Sequence, residues 1–134
     1  MIYTMTMRKR FIPKEPVDYP SGICVKTEKG TYYIKGGKRH PFTSSRILKS
    51  WNFFYIVSGS EEAVKQFSIS SPMRFRDGSL IKDMKDGRIY LISDGKKRQV
   101  TNPDFLKMMN LTGRDIMVVS HAEADLHAVG DDIV

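Results

Sequence analysis

The chain has 134 residues and carries 22 lysines and arginines against 15 aspartates and glutamates, which gives a formal net charge of +7. Because 40% of the residues are hydrophobic and 10% are aromatic, the composition excludes a wholly disordered chain and predicts one folded protein of domain size. The single cysteine, Cys24, excludes an internal disulfide framework and a zinc site built from several cysteines.

Residues 1–20 are predicted to form an extended N-terminal arm. The arm contains the basic run Arg8-Lys9-Arg10 but no apolar stretch after it, so we expect no cleaved secretory leader. The longest apolar stretch of the chain, residues 51–57, is far shorter than the roughly 18 residues of a membrane-spanning helix. We therefore expect no membrane segment.

The rest of the chain is predicted to consist of two tandem copies of one module, residues 21–76 and 77–134. Residues of the same type recur in the same order, at separations that grow from 56 to 62 as short insertions accumulate. The matched pairs are Gly22 with Gly78, Val25 with Ile81, Tyr33 with Tyr90, Asn52 with Asn110, and Ser58 with Ser120.

The first copy is predicted to begin with three strands, over residues 23–26, 31–35 and 38–42. Gly36-Gly37 lies between the second and third strands and is typical of a two-residue hairpin turn. Thr43-Ser44 follows the third strand, and these polar residues indicate the start of a helix.

The second copy is predicted to repeat this order, with strands over residues 80–82, 88–93 and 96–100. Asp94-Gly95 provides the hairpin turn, and Thr101-Asn102-Pro103 indicates the start of the helix. In both copies the apolar residues of this helix follow helical spacing. They are Ile47, Leu48 and Trp51 in the first copy, and Phe105, Leu106 and Met109 in the second.

Each copy is predicted to end with a short apolar strand and a second short helix. The strands are expected over residues 55–57 and 116–119. The patterns Ser58-x-x-Glu61 and Ser120-x-x-Glu123 are capping boxes that would begin the helices. The helices would pack on the sheet through apolar side chains, namely Val64 and Phe67 in the first copy, and Leu126 and Val129 in the second.

The sequence offers no recognisable catalytic or metal site. His121 and His127 lie six residues apart and would point away from each other on a helix, and no cysteine stands near them. Adjacent carboxylates such as Glu61-Glu62 do not face one another, and Gly36-Gly37-Lys38 lacks the spacing of a phosphate-binding loop. We therefore predict no enzyme activity, no cofactor and no metal, with Cys24 as a buried core thiol.

The two copies differ sharply in charge. Residues 21–76 carry a net charge of +7 and residues 77–134 a net charge of −2. Basic residues near aromatic ones in the first copy are compatible with single-stranded nucleic acid. However, Tyr33 and Trp51 are matched by Tyr90 and Met109 in the acidic copy, which favours core positions. Opposite charge on the two copies also favours contacts between protein subunits.

The second copy resembles a known short repeat. Asp77-Gly78-Ser79-Leu80-Ile81-Lys82, followed by Tyr90-Leu91-Ile92 and Gly95-Lys96-Lys97-Arg98, is similar to repeats of tailed-bacteriophage virion proteins and bacterial surface proteins. The resemblance covers nearly all of residues 21–134 and is looser in the first copy. It implies a non-catalytic building or attachment module.

From these observations we expect a structural protein of a tailed-bacteriophage particle, assembled in the host cytoplasm, which docks on other virion proteins. The alternatives are a basic nucleic-acid-binding module and a bacterial surface attachment protein. A capsid-decoration, head–tail or baseplate role would suit the main hypothesis equally. The residues expected to contact partners are Tyr3, Arg8, Lys9, Arg10, Phe11, Ile12, Lys35, Lys38 and Arg39.

Overall fold

The structure, a computed structural model, describes residues 11–133 and has the expected α+β architecture. Its elements fall into two compact units. The first unit contains the described chain up to Phe42 together with Phe53–Met73, and the second contains Thr43–Asn52 together with the described chain from Arg74 onward. No helix within residues 11–133 is long and apolar enough to span a membrane.

The first unit is built on a five-stranded sheet with the order β4-β1-β2-β3-β5. β1, β2 and β3 form an antiparallel meander, and β4 and β5 join its two edges in parallel. A short helix, α2, lies between the two edge strands in the sequence. The bounds are β1 Cys24–Lys26, β2 Thr31–Lys35, β3 Lys38–Pro41, β4 Val57–Ser58, α2 Glu61–Val64 and β5 Ser68–Ile69.

The second unit is built on a four-stranded sheet with the order β8-β7-β6-β9, in which β9 pairs in parallel with β6. A parallel bridge joins Lys97 of β8 to Val129 in this unit, and β5 pairs in parallel with β3 in the first unit. The unit also contains α1, although this helix precedes β4 in the chain. The bounds are α1 Ser45–Trp51, β6 Leu80–Asp83, β7 Ile89–Ser93, β8 Lys96–Gln99, α3 Phe105–Met108, a 3-10 turn Gly113–Asp115, β9 Ile116–Val119 and α4 His121–Ala124.

The hairpin turns lie where the sequence predicts them. Gly36 and Gly37 have φ values of 59° and 73°, and Asp94 and Gly95 have φ values of 52° and 74°. Two consecutive positive φ angles are what a tight hairpin between right-twisted strands requires. Asp94 is the one non-glycine residue at these four positions, and aspartate tolerates this conformation better than most residues.

The core of the first unit lies between one face of the sheet and α2. Val25, Ile34 and Val64 are fully buried there, and the rings of Tyr19 and Phe67 pack beside them at a centroid distance of 6.4 Å. Burying aliphatic side chains of this size contributes about 1.5–3 kcal/mol each. The predictions that Val64 and Phe67 pack on the sheet, and that Cys24 is buried, are confirmed.

The predicted match of Tyr33 with Tyr90 is wrong by one residue. Tyr32 of β2 and Tyr90 of β7 are buried, and each is paired with an apolar residue of the neighbouring strand, Val25 or Ile81. Tyr33 is only partly buried and points to the opposite face of β2. A one-residue slip in strand alignment exchanges the two faces of a sheet, so Tyr33 is not a core position.

The predicted start of α2 is also wrong. Ser60, not Ser58, caps this helix, because its hydroxyl accepts a hydrogen bond from the Ala63 N–H at 3.1 Å. Ser58 belongs to β4. The capping box of Ser120 with Glu123 in the second unit is confirmed.

The expected burial of Val129 is wrong as well. Val129 is 72% exposed, whereas His127, two residues earlier in the chain, is buried. α4 ends at Ala124, so helical spacing does not extend to residue 129.

Candidate interaction surfaces

The described part of the arm lies along α2 of the first unit. The Val17 N–H donates to the Ala63 carbonyl at 3.0 Å, and the Ser60 hydroxyl donates to the Pro13 carbonyl. These bonds leave Phe11 and Ile12 unburied, with exposed fractions of 83% and 52%. An open concavity follows the arm here, lined by residues 11–17.

The remaining arm residues predicted to contact partners fall outside the part of the chain that the structure describes. They are Tyr3, Arg8, Lys9 and Arg10. Their roles stay predictions. Phe11 and Ile12 are exposed and therefore available to a partner, as their predicted role requires.

The three basic residues predicted to act together do not share a face of the sheet. Lys35 and Lys38 are opposite each other at the β2–β3 turn, and both are exposed. Arg39 pairs instead with the fully buried Ile34 and lies on the core side. Its guanidinium donates to Glu61 Oε1 at 3.3 Å and lies 5.1 Å from the Tyr32 ring centroid.

Aromatic side chains collect on the face that carries Lys35 and Lys38. The Tyr33 ring stacks on Phe53 at a centroid distance of 5.7 Å, and Phe42 meets Phe53 edge-on at 5.9 Å. Phe54, on the loop before β4, is 99% exposed. This face therefore combines positive charge with partly accessible aromatic rings.

Helix α1 is held in the second unit by Glu123 and by burial of an apolar side chain. The Ser44 hydroxyl donates to Glu123 Oε2 at 2.6 Å, and the Arg46 guanidinium donates to Glu123 Oε1 at 2.9 Å. Ile47 is fully buried, and the Trp51 indole N–H donates to the Arg74 carbonyl at 2.8 Å. Ser44 is also the N-cap of the helix, as the sequence predicts.

The pKa of the Glu123 carboxyl reflects these contacts. Burial raises it, but hydrogen bonds from Ser44 and Ser120 and the charge of Arg46 more than compensate, so the pKa lies below its ordinary value. Glu123 is therefore ionised at neutral pH and acts as the anchor of α1.

A buried carboxylate lies at the end of β6. Asp83 is 1% exposed and accepts a hydrogen bond from the Lys85 N–H at 2.9 Å. His121 Nδ1 lies 2.7 Å from Asp83 Oδ2 and donates to the carboxylate. Burial raises the pKa of Asp83, but the bonds from His121 and Lys85 and nearby positive charge outweigh it and lower that pKa overall.

The first unit also has a polar bond between the end of its first strand and the start of its helix. The Thr27 hydroxyl donates to Glu61 Oε2 at 2.5 Å, which ties the end of β1 to the first turn of α2. Asp83 with His121 ties the end of β6 to the first turn of α4 in this way. Both pairs are polar cross-links between strand and helix.

His127 is the most deeply buried ionisable ring described. Its Nδ1–H donates to the Gly95 carbonyl at 2.7 Å, and its Nε2 accepts from the Phe75 N–H at 3.1 Å. These two partners require the neutral Nδ1–H tautomer. Burial lowers the pKa of His127, and the charges of Arg74 and Lys97 act in the same direction. The bond to Gly95 and the charge of Asp77 oppose them, and the pKa lies below its ordinary value overall.

Lys97 is a buried lysine with two partners in its own unit. Its Nζ lies 3.4 Å from Asp125 Oδ1 and 5.2 Å from the centroid of the Tyr90 ring.

Among residues 11–133, no group of three or more histidines, cysteines or acidic residues is placed to hold a metal ion.

The comparisons with known proteins give one distant match. The chain is 24% identical over 128 residues to Protein CgeD of Bacillus subtilis, strain 168. The match covers 92% of this chain but 28% of the Bacillus protein, so the chain spans little more than a quarter of its length. No family model matches, and no solved structure matches.

Sequence reasoning missed the partners of two histidines because they are distant in the chain. Asp83 precedes His121 by 38 residues, and Gly95 precedes His127 by 32. In the structure, His127 packs against the ring of Phe75 at a centroid distance of 6.0 Å, and Phe67 of the first unit packs against Tyr19 at 6.4 Å.

Proposed function

We propose that this protein is a non-enzymatic structural component of a multi-subunit assembly. The observation that carries the proposal is how the ionisable side chains are used. The buried Asp83 and Glu123 and the largely buried Arg39 are all engaged in cross-links within their own unit. Such side chains hold a small fold in shape, while the apolar residues left at the surface are available to partners.

We further propose that the fold is a tandem duplication. Both units contain an antiparallel meander whose first strand pairs in parallel with a later edge strand. The cation over the tyrosine recurs, with Arg39 over Tyr32 at 5.1 Å and Lys97 over Tyr90 at 5.2 Å. Two copies of one module that differ in net charge supply two distinct surfaces, which suits a protein that joins other subunits.

Two kinds of assembly fit this proposal. The repeat resemblance favours the particle of a tailed bacteriophage, where the protein would dock on other virion proteins. The match to a Bacillus protein favours a bacterial structure, as the surface-attachment alternative requires. No comparison supports the phage placement, so it rests on the repeat resemblance alone.

Fractionation of native material tests the proposal. An antibody against the protein is used to follow it through density gradients of lysates and purified particles from the native source. We expect the protein in a particulate fraction, with phage particles or with cell-envelope material according to the assembly. Its presence only among small soluble proteins at every growth stage would contradict the proposal.

Nucleic-acid binding is the second candidate, and the basic face of the first unit is the observation that favours it. Lys35, Lys38 and the ring pair of Tyr33 and Phe53 lie together there. Arg39 does not contribute, because it is engaged with Glu61. Fluorescence anisotropy with a labelled single-stranded oligonucleotide at about 150 mM salt would show whether this face binds.

A further inference from the structure

Each of the two sheets has an outer face, which points away from the core of its unit. Successive side chains of a strand alternate between faces, so the outer face is opposite the buried Val25 in the first unit and opposite the buried Ile81 in the second. The strands of the described chain contain one acidic residue, Asp83, and it lies on the core side with Ile81. The outer faces therefore carry no acidic strand residue.

Two lysines occupy matching places on each outer face. Near the end of the first strand of each sheet, Lys26 pairs with the first residue of β2, and Lys82 pairs with the first residue of β7. After the hairpin turns, Lys38 and Lys96 are the first residues of β3 and β8. All four lysines are exposed, and none of them forms an ion pair within residues 11–133.

The spacing of the two lysines is the same in the two sheets. Their pairing positions on the middle strand are four residues apart, from Thr31 to Lys35 in β2 and from Ile89 to Ser93 in β7. At about 3.3 Å per residue, the two lysines of each face are separated by about 13 Å along the strand direction. Each outer face therefore presents positive charge in a similar arrangement.

The aromatic rings of the first outer face have no counterpart at this register in the second. Tyr33 lies two residues beyond the partner of Lys26, whereas Leu91 lies two residues beyond the partner of Lys82. The Tyr33 ring is also stacked on Phe53. Bases are bound by stacking on aromatic rings, whereas phosphates are attracted by positive charge. The property that the two faces share is therefore attraction of phosphate groups.

The residue type at these positions favours a flexible ligand. Arginine binds fixed, bidentate partners, whereas the lysine ammonium is a point charge on a flexible stem. The arginines of the same sheets are bonded within their own units, Arg39 to Glu61 and Arg98 to the Asp131 carbonyl. Lysines on flexible stems match a flexible chain of singly charged groups better than they match the fixed surface of a protein.

We propose that the outer face of each sheet binds an anionic polymer of phosphodiester groups without bases, such as poly(glycerol phosphate). Lys26 and Lys38 attract its phosphates in the first unit, and Lys82 and Lys96 do so in the second. Each face is a site by itself, so the chain offers two. This inference rests on the proposed function, because it names a component of the assembly that is bound in addition to protein partners.

An amide NMR titration of the isotope-labelled full chain with short poly(glycerol phosphate) tests the inference at about 150 mM salt. We expect shift changes on the outer faces of both sheets, and these should diminish at higher salt because phosphate contacts release counterions. Lys26→Gln with Lys38→Gln should weaken binding in the first unit about tenfold and leave the second unit unchanged. Lys82→Gln with Lys96→Gln should do the reverse.

Lys14→Gln with Lys107→Gln is the matched control, because it removes the same charge from exposed lysines outside the sheets. It should change binding by less than about twofold. A single-stranded oligonucleotide with the same number of phosphates should bind no more tightly than poly(glycerol phosphate), since the two faces share no means of binding its bases.

The inference is overturned if either outer face shows no shift changes, if the control weakens binding as much as the face replacements do, or if the oligonucleotide binds more than about tenfold more tightly. The last result would favour nucleic-acid binding, the second candidate function. Each of these results leaves the proposed function standing, because protein contacts alone can hold a structural component. Polymer binding by a protein that is absent from every particulate fraction would contradict the proposed function and leave the two sites established.

Discussion

The buried His127 should make the second unit less stable as the pH falls below neutrality. An unfolded histidine has a pKa near 6.5, and burial holds the folded pKa below its ordinary value. The stabilisation is therefore fully present above about pH 6.5 and is lost as the pH falls toward the folded pKa. The physical cause is that protonation of Nε2 would replace the hydrogen bond from Phe75 with a clash of two donors.

The size of the effect is set by the one proton that His127 binds more readily in the unfolded protein than in the folded protein. Below about pH 6.5 and above the folded pKa, the free energy of unfolding should fall by at most about 1.4 kcal/mol per pH unit. Between pH 7.5 and pH 5.5 the loss from this histidine is therefore about 1.4 kcal/mol at most.

The replacement His127→Phe isolates this contribution. A phenylalanine, Phe67, packs against Tyr19 in the first unit at a distance similar to that of His127 from Phe75. It removes the titrating ring but leaves the Phe75 N–H and the Gly95 carbonyl without their partners. Each unsatisfied group costs about 1–3 kcal/mol, offset in part by the larger apolar ring. We expect a variant that is less stable at pH 7.5 and less sensitive to pH.

Urea unfolding followed by fluorescence is the assay. Trp51 is the only tryptophan of the chain and belongs to the second unit, so its emission reports on that unit. His40→Gln is the control, because His40 lies in the first unit. If the unchanged protein and His127→Phe lose equal stability between pH 7.5 and pH 5.5, the reasoning is refuted.

Three further predictions follow from other contacts. Glu123→Ala should lower the free energy of unfolding of the second unit by about 1–3 kcal/mol, because it removes the side chain that holds α1. Glu62→Ala, at an exposed carboxylate, is the control and should change the free energy of unfolding by under about 0.5 kcal/mol. Urea unfolding at pH 7.5 measures both values. Gly59→Ala would place a Cβ 2.5 Å from a Val25 methyl group, so it should lower the free energy of unfolding by about 1–3 kcal/mol, measured by thermal or urea unfolding. Gly113→Ala, where nothing lies within 4 Å of the new Cβ, is the control and should not lower it in this way. If the basic face binds single-stranded nucleic acid, Lys35→Gln and Lys38→Gln should each lower the slope of log affinity against log salt concentration by about 0.7. Arg39→Gln should leave this slope unchanged, because Arg39 is engaged with Glu61. An equal effect at Arg39 would contradict the assignment of these residues to opposite faces.

Local signals in the sequence were sufficient to predict most strands and turns. β2, Thr31–Lys35, and β9, Ile116–Val119, have the bounds predicted for them. The turns at Gly36-Gly37 and Asp94-Gly95 were predictable because few residue types accept positive φ. The overall α+β class follows from these local elements.

The remaining features depend on contacts between distant residues. The face on which Tyr33 lies is set by the register of β2 with β1, and a one-residue error reverses it. The placement of α1 in the second unit depends on Glu123, which lies 79 residues after Ser44. No local pattern reports such a pairing.

Stoichiometry in the native assembly tests the central claim most directly. Particulate fractions from the native source are washed with high salt, and the molar ratio of this protein to the major component is measured by quantitative mass spectrometry. A structural component should remain at one constant ratio across preparations and after the wash. A ratio that varies between preparations, or complete loss of the protein in high salt, would contradict the account.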